Sequence, residues 1–236
     1  MIEMKFKIFR FDPQKDKEPY FRHYTVHAEA WERLLDCLNR IKWEQDGSLA
    51  YRMSCAHGVC GSDAMRINGR CALACQKLVK DYQQTEVVLE PLPGPGFPVL
   101  KDLMVDMTAF FKTIELVRPF LNASETPEKE RVQSPEERKK VDEVIRCILC
   151  ACCVGACPVS NENEKFVGPA ALVQAFRRIF DSRDKERAQR LKQLDYPDGA
   201  WGCVNHFECT RACPKEIPVT KSINLIKREI KQSESS

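Results

Sequence analysis

The 236-residue chain has no uninterrupted apolar run of the roughly eighteen residues that a membrane-spanning helix needs. Its nearest approach, Val144 to Val159, is broken by Arg146 and crowded with cysteine. The start, Met1-Ile2-Glu3-Met4-Lys5, has no charged region followed by an apolar core, so a secretory signal is not expected. No Gly-x-Gly-x-x-Gly fingerprint marks a dinucleotide site, and no acid–base constellation stands out that could act on a carboxylic substrate. Charge of one sign is not in excess either. Lys and Arg number 37 against 34 Asp and Glu, a net charge of +3, and neither half is markedly basic. A nucleic-acid partner is therefore not expected. The apolar fraction of 43% excludes wholesale disorder and leaves room for one large domain or two smaller ones. What the chain has in abundance is cysteine, 13 of them. The number is odd and the chain too long to need disulfide staples, which points to metal binding or thiol chemistry.

Residues 5–11 and 20–27 read as two strands, joined by a turn or loop at 12–19 that carries Asp12, Pro13 and Pro19. Trp31, Leu34, Leu35, Leu38 and Ile41 follow a helical period, so 30–42 reads as an amphipathic helix. Short strands are expected at 49–52, 64–67 and 85–90, an α+β pattern. The stretch 91–98 holds six Pro or Gly in eight positions, which no helix or central strand survives. It divides the chain into 1–98 and 99–236. Beyond it the pattern is helical. Ser134-Pro135-Glu136-Glu137 has a serine cap, a first-turn proline and a capping-box glutamate. Val141, Val144, Ile145 and Ile148 carry that helix on to Cys147. Further helices are expected at about 169–181 and 218–231, a loop at 122–133 and a frayed tail at 232–236.

The cysteines fall into three groups, with Cys37 alone on the first helix as a buried small hydrophobe. The second group contains Cys147-x2-Cys150-x2-Cys153-x3-Cys157-Pro158, the bacterial ferredoxin run. Three thiolates on one tight turn cap three irons of a cubane, and the fourth is carried off to another cluster. Structural zinc is the bland alternative, but it takes two ligands from each knuckle. In the third group, Cys203-x5-Cys209-x3-Cys213-Pro214 is the same run with His206 where a cysteine is missing. The crossover rule gives Cys147, Cys150, Cys153 and Cys213 to a [4Fe–4S] cluster. Cys157, Cys203 and Cys209 remain for a second cluster, which with three thiolates should be [3Fe–4S]. His206 could ligate a fourth iron or fill the space beside the cluster, and filling is the expectation. Cys152 is the spare and points away.

The first group is less regular. A plant-type [2Fe–2S] loop runs Cys-x4-Cys-x2-Cys with a last cysteine further on. Here Cys55-x4-Cys60-x2 lands on Asp63, and Cys75 follows. Gly58, Gly61 and Ser62 let the backbone wrap a cluster closely. Either Asp63 supplies an oxygen ligand or Cys71 replaces it. Position favours Asp63 and ligand softness favours Cys71; Asp63 is placed ahead.

These residues, with Ile67-Asn68-Gly69, Leu103-x-Val105-Asp106-Met107, Phe166-x-Gly168-Pro169-Ala170 and Asp181-Ser182-Arg183-Asp184, resemble the iron–sulfur subunit of succinate dehydrogenase and fumarate reductase over nearly the whole chain. The resemblance implies a plant-ferredoxin-like β-grasp domain followed by an all-α ferredoxin-like domain. Some members carry Asp where Asp63 stands. It also implies partners: a flavoprotein subunit holding FAD, and one or two transmembrane anchor subunits, with or without haem. Electrons would pass from the FAD through [2Fe–2S], [4Fe–4S] and [3Fe–4S] to a membrane quinone, ubiquinone or menaquinone, with the chain on the cytoplasmic face of a prokaryotic inner membrane. Pro158, His206 and Lys227 are the quinone-side candidates; Lys227 otherwise reads as a solvated charge on the last helix. Many ubiquinone-linked members have a tryptophan shortly after this Cys-Pro. Pro158 to Lys165 has no aromatic residue, which points toward menaquinone or a quinol:fumarate reductase. The remaining alternative is an iron–sulfur subunit of another flavin dehydrogenase.

Overall fold

The computed structural model describes residues 1–83, 85–123 and 126–234. They form two compact units, 1–107 with 148–156, and 108–147 with 157–236. The Pro/Gly stretch 91–98 thus lies inside the first unit, which continues through a small hairpin before the helices begin.

The first unit is strand-rich. β1 (Ile2–Arg10) pairs antiparallel with β2 (Tyr20–Ala28), Ile2 opposite Ala28 and Arg10 opposite Tyr20. Alternation puts Met4, Phe6, Ile8 and Arg10 on the buried face of β1. α1 (Leu34–Arg40) comes next, with the Asp36 carboxylate accepting the Arg33 N–H at its start, and buries Leu34, Leu35, Cys37 and Leu38. Burying each leucine contributes about 1.5–3 kcal/mol before chain entropy is set against it. β3 (Ala64–Ile67), β4 (Arg70–Leu73) and β5 (Val87–Glu90) complete one sheet in the order β2-β1-β5-β3-β4, with β5 parallel to β1. β6 (Val99–Lys101) and β7 (Met104–Val105) make a separate hairpin.

At the end of β1 a buried arginine ties the unit together. Arg10 donates to Asp102 at 3.0 Å, to Asp46 and Tyr24 at 2.5 Å each, and to Ser48 at 2.8 Å. Burial alone would lower the Arg10 pKa, but the two carboxylates more than offset it. Burial pushes the Tyr24 hydroxyl up to about 12.

The second unit is helical. After α2 (Thr108–Leu116), α3 (Pro135–Lys139) starts at the expected capping box, where Ser134 and Glu137 each accept the other's backbone N–H. The first unit contributes α4 (Cys152–Gly155). Then come α5 (Pro158–Glu162), α6 (Pro169–Ile179), α7 (Arg187–Leu194), α8 (Glu208–Arg211) and α9 (Val219–Glu234). α6 is buried along nearly its whole length and packs on α9. Arg190 of α7 is 3% exposed. It holds Asp184 through two bonds of 3.1 and 2.9 Å and donates to the carbonyls of Val117, Arg118 and Phe120. The Asp181–Asp184 motif therefore anchors α7 to the chain just beyond α2.

Several expectations need correction. The helix expected over 30–42 begins only at Leu34; Trp31 lies in the turn before it, 72% exposed. No strand forms at 49–52, whose backbone instead packs on the hairpin: Ala50 N–H donates to Asp102, and its carbonyl accepts from Leu103. The helix from Ser134 does not reach Cys147. It stops at Lys139, and a single tight turn, Val144–Arg146, presents the cysteine. The tail is helical through Glu234, and residues 235–236 lie outside the described part.

Candidate metal centres

The loop from Cys55 to Asp63 wraps inward on itself. Ala56, Gly58 and Gly61 all have positive φ, which aims successive backbone N–H groups at one side. Val59 and Cys60 donate to the Cys55 sulfur at 3.4 and 3.3 Å, and Ser62 donates to the Cys60 sulfur at 3.5 Å. Backbone donors from His57, Cys60 and Val59 lower the Cys55 thiol to about 6, so it stands ready as a thiolate. Gly61 is sterically required: a Cβ there would sit 2.6 Å from the Cys150 Cβ and 3.0 Å from its Cα.

Asp63 closes the loop. It is 2% exposed; one carboxylate oxygen accepts the Cys75 N–H at 2.5 Å and the other lies 3.3 Å from the Cys75 sulfur. Burial first, and Asp63 second, push the Cys75 thiol up to about 12. Cys71 is turned elsewhere. It sits on β4 opposite Arg66, and its sulfur lies 3.2 Å from where a Cβ on Gly155 of α4 would be. Burial pushes its thiol up to about 11, and the charges it feels are Arg66 and Cys150. The backbone thus groups Asp63 with Cys75 and leaves Cys71 facing α4.

The two later cysteine runs repeat one backbone. Cys147 and Cys203 each come directly after a single tight turn and are extended, with φ/ψ of −61°/124° and −73°/122°. Leu149 and Ala151 have φ of 55° and 65°; Asn205 and Phe207 have 63° and 64°. A four-residue helix comes next in each, α4 and α8, with the same amide bonds to Ala151 and Cys152 as to Phe207 and Glu208. In this alignment Cys150 is matched by His206. Four left-handed non-glycine residues are costly locally, about 1 kcal/mol or more each, and such strain gathers where a ligand fixes the chain.

In the second unit, Cys157, Cys203 and Cys209 line one cavity of about 310 Å³ empty volume, part of it open to solvent. Pro158 and His206 line the same cavity, with Val159, Phe166, Val204 and Phe207 supplying apolar surface. Burial raises the Cys209 thiol, and the neighbouring Cys157 and Cys203 raise it further. Three thiols around one open cavity, with Cys157 and Cys203 in electrostatic reach of Cys209, fit a cluster better than a structural role. Lys227 does not line the cavity, nor is it merely solvated. Its ammonium donates to the Cys203 carbonyl at 2.6 Å and lies 5.8 Å from the Trp201 ring centre. Thr220 was not legible as a site residue. Buried on α9, it places its hydroxyl 3.5 Å from the Cys209 sulfur and 3.0 Å from the Thr210 hydroxyl. Its signal, a threonine near the start of an apolar helix, is indistinguishable from ordinary packing.

Cys152 is fully buried, and a hydrogen bond to Cys150 together with burial holds its thiol protonated, while the same bond lowers Cys150. None of the thirteen cysteines is in a disulfide. Among the described residues no three His, Cys, Asp or Glu side chains converge as around a single ion. Cluster ligands need not, because each thiolate binds its own iron. Among the described residues no helix is long and apolar enough to cross a membrane.

Comparison with known proteins adds to this geometry. Residues 5–112 match the model of a 2Fe-2S iron-sulfur cluster binding domain, and residues 143–217 that of a 4Fe-4S dicluster domain. The chain is 43% identical to the succinate dehydrogenase iron-sulfur subunit of Coxiella burnetii, over 99% of each chain. It is 40% identical to the mitochondrial succinate dehydrogenase [ubiquinone] iron-sulfur subunit of Candida glabrata, over 95% of this chain and 90% of the other. Among solved structures it is similar to a chain of the Mycobacterium smegmatis Sdh1 complex in the apo form, with a TM-score of 0.86 at 26% identity, covering 100% and 98% of the two.

Proposed function

The chain belongs to the family of succinate dehydrogenase iron–sulfur subunits and is an electron-transfer subunit of that enzyme; from this premise we propose how its residues divide the work. The bound clusters supply one-electron relay from an FAD on a flavoprotein partner to a quinone at a transmembrane anchor. Cys55, Cys60, Asp63 and Cys75 hold the [2Fe–2S] group in a plant-ferredoxin-like β-grasp region, 1–98. Cys147, Cys150, Cys153 and Cys213 hold [4Fe–4S], and Cys157, Cys203 and Cys209 hold [3Fe–4S], in the region 99–236, which is helical apart from the β6–β7 hairpin. The observation that carries the last assignment is the single cavity lined by Cys157, Cys203 and Cys209.

The chain's own groups prepare these sites. Loop amides hold Cys55 as a thiolate. Asp63, fixed by the Cys75 N–H, offers its second oxygen beside the Cys75 sulfur, which supports it over Cys71 as the fourth ligand. Thr220 reaches the Cys209 sulfur, and Lys227 braces the Cys203 carbonyl. On the quinone side, Pro158 and His206 lie at the cavity, with Val204 and Phe207, 62% and 51% exposed, giving its mouth an apolar rim. That rim suits an anchor subunit on the cytoplasmic face of a prokaryotic inner membrane. The absence of an aromatic residue from Pro158 to Lys165 favours menaquinone, and with it a second reading as the same subunit in a quinol:fumarate reductase.

Copurification from detergent-solubilised membranes, then succinate–quinone and quinol–fumarate assays with both quinone types, tests this. A flavoprotein and an anchor should accompany the chain, and succinate should reduce the [2Fe–2S] cluster and bring out its paramagnetic-resonance signal. Purification of the chain without a flavin-bearing partner would contradict the reading.

A further inference from the structure

The repeat of backbone between the two cysteine runs fixes where His206 sits. Leu149 and Ala151 flank Cys150 in left-handed conformation, and Asn205 and Phe207 flank His206 in the same way, before helices with the same amide bonds. His206 therefore starts from the backbone position that in the first run carries a cluster ligand. It lines the cavity with Cys157, Cys203 and Cys209, and among the described residues it has no hydrogen-bond or ion-pair partner. An imidazole is a competent iron ligand, and histidine replaces cysteine at one iron of Rieske clusters.

We propose that His206 is the terminal ligand for a fourth iron, which enters as ferrous iron at the open corner of the three-iron cluster in its reduced state. This role rests on the [3Fe–4S] assignment above and deepens it. A three-iron cluster presents three bridging sulfides at its open corner. One electron, delivered by succinate through the flavoprotein, brings its core to the neutral level. Ferrous iron then binds the three sulfides and the neutral imidazole nitrogen, giving a dicationic four-iron core with no further oxidation or reduction. Oxidation weakens the hold on this metal and returns the three-iron form. Because cluster type sets the potential, uptake changes the last relay before the quinone and makes its output responsive to iron.

The test uses the detergent-solubilised complex. It is reduced with succinate, incubated with ferrous iron under nitrogen and freed of excess iron. Paramagnetic resonance and Mössbauer spectroscopy with isotopically enriched iron then read the cluster. In the native complex the Mössbauer signature of the reduced three-iron cluster should give way to that of a four-iron cluster, one enriched iron should enter, and mild oxidation should release it and bring back the oxidised three-iron resonance. His206→Ile should keep the Mössbauer signature of the reduced three-iron cluster and take up no enriched iron. His206→Asn should need at least about tenfold more ferrous iron, the loss that even an outer-shell change brings. His206→Cys should hold four irons before any addition. A three-iron signal equally insensitive to iron in native and His206→Ile complexes overturns the proposal, as does a His206→Cys complex that stays three-iron. If no three-iron signal is found in any of these complexes, it is the underlying cluster assignment that fails.

Discussion

The two ferredoxin runs share a backbone but not a ligand set. Residues 144–158 and 200–214 pair off one for one, from the tight turn before the first cysteine to the proline after the last. They differ in that one has Cys150 where the other has His206. The shape of the loop is therefore not a consequence of having four cysteines. It is encoded in the local turns, and in the proposed assignment the number of irons held is decided afterwards by a side chain. The [2Fe–2S] loop reaches the same end by other means, using Gly58 and Gly61 beside Ala56 for its left-handed turns where the later runs force Leu149, Ala151, Asn205 and Phe207 into them.

The severest challenge to this contrast is to make one run into the other. Cys150→His should turn the [4Fe–4S] site into a second three-iron site, double the oxidised three-iron resonance and drop succinate–quinone activity to background; an unchanged four-iron signal would show that run and ligand set are not separable. Next in size is a contrast within the first group. In the iron-free chain Cys55, lowered to about 6, should alkylate with a midpoint near that pH, its rate rising as pH increases through it. Cys75, pushed up to about 12, should stay more than about a hundredfold slower at neutral pH, as mass spectrometry of iodoacetamide adducts would show. Gly61→Ala should then cost about 2–3 kcal/mol, from its φ of 72° and the clash with Cys150, read as a fall in melting temperature and lost [2Fe–2S] occupancy.

Smaller effects separate the runs more finely. Thr220→Val removes the hydroxyl beside the Cys209 sulfur, costing about 1 kcal/mol in stability. Because a donor to a cluster thiolate favours the reduced state, the three-iron potential should fall while the [2Fe–2S] potential stays put in a redox titration. Smallest of all, Ala151→Gly and Phe207→Gly relieve matching left-handed residues. Backbone relief and added chain entropy nearly cancel, so thermal denaturation should move by less than about 1 kcal/mol, in the same direction for both.

Much of this was legible in the amino-acid order because cluster ligation is written in spacing. The Cys-x2-Cys-x2-Cys-x3-Cys-Pro run and its truncated copy stand out without any structure, as do β1, β2, α6 and α9, whose periodicities are strong. The capping box at Ser134 marked its helix start correctly. The segment beyond that helix was not legible: Val141, Val144 and Ile145 keep a helical period, yet the chain leaves the helix at Lys140 to present Cys147 on a tight turn. β4 (Arg70–Leu73) escaped notice, as did α7, whose one deeply buried charged side chain, Arg190, is satisfied by Asp184 and by carbonyls distant in sequence. Between Asp63 and Cys71 the order of residues placed Asp63 ahead by position alone. Which way a β4 residue faces is not written there; Cys71 faces α4 while Asp63 meets Cys75, which supports the proposed ligand.

One missing cysteine, on this view, leaves one cluster an iron short. Iron and acid-labile sulfide analysis of the oxidised complex, combined with quantitative paramagnetic resonance, puts that to the test. About nine irons and about ten sulfides per chain are expected, with one three-iron spin for each [2Fe–2S] spin seen on reduction. About ten irons with no three-iron resonance in the oxidised complex would contradict it.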